Sequence, residues 1–90
     1  MQYNMFLSGA VAKAWRQLGM PGKLREQYDY KPQVIWYNYT AGNNKMVFFF
    51  DAYMDPCEVS NKIIEATYIA SENVIAIDIY NLESHNSYKL

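Results

Sequence analysis

Hydrophobic and polar positions along the chain fall into blocks of different period. From Gln2 to Leu18, the residues Leu7, Val11, Ala14 and Leu18 recur at spacings of four, three and four, which is one face of a helix. Phe6 and Trp15 widen that stripe, while Lys13, Arg16 and Gln17 lie off it. Ser8 and Gly9 weaken the first half, and residues 1–7 (MQYNMFL) would also be tolerated in a strand; the spacing favours a helix over residues 1–18. Gly19 supplies a left-handed cap and Pro21 prevents continuation. Residues 23–32 (KLREQYDYKP) mix charges with aromatics and predict a connecting segment anchored by Leu24.

The pattern then changes to that of strands. Residues 33–40 (QVIWYNYT) and 45–53 (KMVFFFDAY) are β-branched and aromatic, and Ala41-Gly42-Asn43-Asn44 between them tolerates positive φ, so residues 33–53 predict a β-hairpin. Phe48, Phe49 and Phe50 put bulk on both faces of the second strand, and Asp51 interrupts one of them. Asp55-Pro56-Cys57-Glu58 has an N-cap acid, a proline at the first helical position and a further acid, which predicts a helix over 56–70 with Val59, Ile63, Ala66 and Ala70 on one face. Its rival is a strand through residues 62–70 (KIIEATYIA) turning at Ser71-Glu72-Asn73; the start signals and the spacing favour the helix. Residues 74–80 (VIAIDIY) alternate, with Ile75, Ile77 and Ile79 facing one way and Asp78 and Tyr80 the other, and residues 83–90 form a polar tail without periodicity.

These elements give an α+β fold in a single domain, α-β-β-α-β, in which a small antiparallel three-stranded sheet carries two helices on one face. A right-handed crossover brings the third strand beside the first. The opposite face is expected to present Phe49, Asp51, Tyr53, Asp78 and Tyr80, joined by Tyr37 and Tyr39 if the hairpin register carries them there.

Composition sharpens this picture. Ninety residues, 51% hydrophobic and 17% aromatic with nine Tyr, make one folded domain with a modest core. A lone Cys57 makes no intramolecular disulfide, fits a reducing cytoplasm and is read as a structural thiol, and no stretch predicts a secretion signal or a membrane span. The net charge of −1 hides an asymmetry: residues 1–50 carry six Lys/Arg against two acids, and residues 51–90 carry two Lys against seven acids. An acidic second half argues for a basic protein partner and against nucleic acid.

Catalytic chemistry finds little to work with. His85 is the sole histidine and lies in the polar tail, and Cys57 has no nearby base and sits among acids that would raise its pKa. Asp51 and Asp78 without a third ligand make a poor cation cage, and neither a phosphate loop nor zinc-ligand spacing occurs. The expectation is a protein that is not an enzyme, with no catalytic residues, cofactor or metal.

The run Ala14-Trp15-Arg16-Gln17-Leu18-Gly19 with Pro21 and Leu24-Arg25, a hairpin ending Phe49-Phe50-Asp51, an acid-capped helix and an isoleucine-rich strand together resemble small immunity proteins of contact-dependent growth inhibition systems. The resemblance spans roughly residues 10 to 82. It implies a bacterial cytoplasmic antidote that binds the C-terminal toxin domain of a cell-surface effector, often a nuclease, and holds it inactive. On this reading Tyr37, Tyr39, Phe49, Asp51, Tyr53, Asp78 and Tyr80 are the partner-binding residues. Two alternatives stay open. One is a single-stranded RNA-binding module that stacks bases on an aromatic sheet face; the acids on that face oppose it. The other is a homodimer that closes the aromatic face on itself.

Overall fold

A computed structural model describes residues 1–81 and Lys89. Among these residues the fold is α+β, with two α-helices and a four-stranded antiparallel sheet. Helix α1 spans Tyr3–Gln17, as its period predicts, and Gly19 follows with φ of 75°. Where a connecting segment was expected, residues Gly22–Gln27 form a short helix, α2, whose first turn Pro21 permits because the proline sits before it. Leu24 packs against the core as anticipated. Trp15 Nε1 donates to the Pro21 carbonyl at 3.1 Å, which ties the end of α1 to the start of α2.

Strands β1 (Lys31–Thr40), β2 (Asn43–Asp51), β3 (Lys62–Ile69) and β4 (Val74–Asn81) form a meander in chain order. Residues 56–70 are therefore not a helix, and the rival strand is the one that forms. The N-cap signal was genuine but serves a single 3-10 turn, Val59–Asn61: Asp55 accepts from the Val59 and Ser60 amides at 2.8 and 3.0 Å. Beyond Asn61 the residues alternate, with Ile64 and Ala66 buried beneath the helices while Glu65 and Thr67 take the other side. Such a β-branched run gains more from four-strand pairing than from a helix. The sheet thus has four strands instead of three, and β4 lies beside β3 rather than beside β1. The expected tail at residues 83–90 falls outside the described residues, apart from exposed Lys89.

The hairpin turn is two residues, Ala41 and Gly42, with φ of 54° and 83°; two consecutive positive φ values match the right-handed twist of the flanking strands. Asn43 and Asn44 already belong to β2, and Asn43 Oδ1 accepts from the Ala70 amide at 2.9 Å. The core lies between α1 and one sheet face. Phe6, Ala10, Val11, Ala14 and Trp15 meet Met46, Phe48, Phe50, Ile64 and Ala66, with Tyr30 and Val59 closing one end. Trp15 stacks edge-on against Phe50, ring centres 5.0 Å apart, and Phe48 against Phe50 at 5.6 Å.

Candidate functional site: the open sheet face

Side chains alternate along a strand, so the residues of β2 between the buried ones, Lys45, Val47, Phe49 and Asp51, must face away from the helices. Cross-strand pairing then dictates their neighbours. Trp36, Val47, Glu65 and Asp78 form one row across all four strands, and Asn38, Lys45, Thr67 and Ala76 form the next. Ile63 pairs with Tyr80 further along β3 and β4, and Gln33 with Phe49 on β1 and β2. The result is an apolar and aromatic band of Trp36, Val47, Phe49, Ile63 and Tyr80 crossed by a line of charge. Trp36 and Tyr80 are exposed, while Val47, Phe49 and Ile63 are half-buried by their neighbours.

The charge is specific in its arrangement. Lys45 Nζ lies 2.6 Å from Glu65 Oε1, and this hydrogen-bonded partner, helped by Tyr80 and Asp78, holds the ammonium above its ordinary pKa. Glu65 stands directly opposite Asp78 across β3 and β4, two like charges in adjacent positions. Asp78 forms no ion pair among the described residues, and Asp51 at the end of β2 is likewise exposed. A directly opposed carboxylate pair is unfavourable for the sheet; Lys45 offsets it on the Glu65 side, and a cation from outside would relieve it on the Asp78 side.

Of the residues expected on this face, Phe49, Asp51, Asp78 and Tyr80 are there. Tyr37 and Tyr39 are not, because the two-residue turn pairs them with Met46 and Asn44, on the helical side. Tyr37 is instead structural. It meets Tyr3 edge-on at 4.7 Å and accepts a 2.7 Å hydrogen bond from Asn44 Nδ2, which also donates to the Met1 carbonyl at 2.8 Å. Tyr53 lies beyond the end of β2 and is fully exposed outside the sheet. Cys57, read from the sequence as a structural thiol, is exposed. Trp36, Val47, Ile63, Lys45 and Glu65 were missed. The alternation of β2 already pointed to Lys45 and Val47, but Glu65 and Ile63 were assigned to a helix, and Trp36 sits after a bulge at Ile35 that shifts the register between Val34 and Trp36.

Among the described residues no three His, Cys, Asp or Glu side chains converge as a metal site would require. No helix there is long and apolar enough to cross a membrane. Compared with known protein families, curated proteins and solved structures, the chain matches none. The face itself offers flat area, aromatic anchors and fixed charge, which is the equipment of a binding surface.

Proposed function

We propose that the chain is a cytoplasmic immunity protein whose open sheet face binds a basic protein domain, the C-terminal toxin of a contact-dependent growth inhibition effector, and neutralises it. The observation that carries this reading is the open-face band of exposed Trp36 and Tyr80 with half-buried Val47, Phe49 and Ile63, and Glu65, Asp78 and Asp51 beside it. Aromatic anchors desolvated against a partner supply most of an interface's energy, and Asp78 and Asp51, which form no ion pair among the described residues, select a cationic one. The sequence resemblance leans on the first helix and the FFD strand end, since its acid-capped helix is a strand in the fold. Protection follows from occupancy alone and asks no chemistry of the antidote.

The test is to express the reading frame that adjoins this chain's own and to titrate the C-terminal domain of its product calorimetrically against the protein. A one-to-one complex is expected, with Trp36→Ala and Phe49→Ala each weakening it by about 30-fold or more, the loss of an anchoring side chain. Absence of binding, or undiminished binding by both folded variants, overturns the proposal. Trp36, Phe49 and Tyr80 on one face also suit base stacking, so single-stranded RNA belongs in the same titration. The acids, with Lys45 already engaged by Glu65, lead us to expect no RNA binding.

A further inference from the structure

We propose that β1 is the edge through which two copies of this chain join, their β1 strands pairing antiparallel about a two-fold axis to give one eight-stranded sheet. The helical layer sits over β3 and β4, and a groove lined by Leu7, Val11, Arg25 and Pro32 marks where it stops short of β1. As a result β1 is open along its edge and, apart from Tyr37, which packs against Tyr3 and Phe6 of α1, thinly covered: Val34 is 38% exposed, Ile35 58%, Trp36 47% and Tyr39 55%. Exposed apolar residues concentrated on one edge strand are what solitary proteins avoid.

Charge identifies the occupant. From Gln33 to Thr40 the strand has no ionisable acid or base other than its tyrosines, and Lys31 at its start already pairs with Asp29 at 3.3 Å. An uncharged, apolar strand is matched by another of the same kind, and a second β1 is such a strand, with no like charges to bring together. Taking roughly 150–250 Å² for each large side chain, the four exposed ones offer roughly 300–500 Å² per copy. Edge-to-edge pairing covers only part of that area, so the pair stays below the roughly 1,200 Å² of a standard interface and forms a weak, concentration-dependent dimer.

The opposite edge is less open to pairing. Gln17 Nε2 reaches out from α1 and donates to the Ile77 carbonyl at 3.2 Å, so β4 has part of its outer edge already bonded. With β1 consumed, β4 is the edge that remains to the pair, and the Gln17 bond obstructs further pairing there at Ile77. The open face described above runs on across the seam, with Trp36 of each copy beside it, and becomes twice as wide.

Sedimentation equilibrium from low-micromolar to millimolar concentration tests the proposal. The expected result is a reversible rise from 10.5 kDa to twice that mass. Val34→Lys, which adds a charge on the helical side of β1, should hold the protein at monomer mass, whereas Tyr80→Lys on the open face should leave the rise intact. Amide exchange of the unmodified protein gives an independent readout: protection of β1 should increase with concentration while that of β4 does not. A monomer throughout, loss of dimer in Tyr80→Lys but not Val34→Lys, or protection without preference for β1 would each overturn it. Open-ended aggregation in place of a discrete dimer would do the same.

Discussion

At position 55 a single carboxylate receives hydrogen bonds from three residues. Tyr30 Oη donates to Oδ1 at 2.5 Å, the Val59 and Ser60 amides donate at 2.8 and 3.0 Å, and Ser60 Oγ at 2.5 Å. Burial pushes the Asp55 carboxyl up, but these bonds, the Ser60 hydroxyl first, outweigh it and hold the group below its ordinary value. Because the folded value lies below the unfolded one of about 3.9, the stabilisation is complete above that pH and is lost as pH falls through the folded value. Asp55→Ala should cost about 2–3 kcal/mol in urea unfolding at neutral pH, since it strands a buried phenol and two amides. Asp55→Asn, which cannot titrate, should flatten the acid limb of stability against pH. Tyr30 answers at the other end of the scale. Burial, then the bond to Asp55, raises its phenol well above the ordinary value, so the unfolded chain loses the proton first. Stability should hold up to about pH 10 and fall above it, and Tyr30→Phe should remove that part of the alkaline decline.

At the scale of elements, α1 shows how a sequence weakness is a packing requirement. Gly9 lowers helix propensity, yet a Cβ there would lie 3.0 Å from Ile75 Cδ1 on β4, so the glycine lets the helix approach the sheet. Gly9→Ala should therefore gain less than the roughly 1 kcal/mol that propensity promises, and combining it with Ile75→Val should recover the rest as a favourable coupling of about 0.5–1 kcal/mol in a double-mutant cycle. The same competition between local and non-local preference decided what was legible in the sequence. Helix α1, the hairpin and β4 announced themselves because their period, breakers and turn residues agree. β3 did not, because Asp55 and Pro56 carry real start signals and Val59, Ile63 and Ala66 happen to be spaced like a helix face; only pairing with β2 and β4 resolves the segment. Half of the open face was legible by alternation along β2 and β4. The β1 half was not, since it depends on a two-residue turn and a bulge at Ile35, and a shift of one residue exchanges the faces.

Across the whole molecule the two layers carry opposite charge. Residues 1–28 hold Lys13, Arg16, Lys23 and Arg25 against Glu26, while residues 31–81 hold three Lys against six Asp and Glu. Such a polarised field would turn a basic partner towards the sheet before contact, and the approach would slow as salt screens it, over about 10 Å at 0.1 M. Asp78 lets this be separated from fold stability, because its like-charged neighbour Glu65 makes it a poor choice for the sheet and a good one for a cationic partner. Asp78→Lys should stabilise the free protein by about 0.2–1 kcal/mol, as an opposed pair of carboxylates becomes an opposed pair of unlike charges. The same change should slow association with the toxin domain by about tenfold at low salt, the difference shrinking as ionic strength rises, with dissociation much less affected. Thermal unfolding and stopped-flow association measured on one preparation check both halves. A stabilised variant that associates more slowly cannot owe its loss of binding to a loss of folding, and one that associates at the unmodified rate would show that this face does not meet the partner.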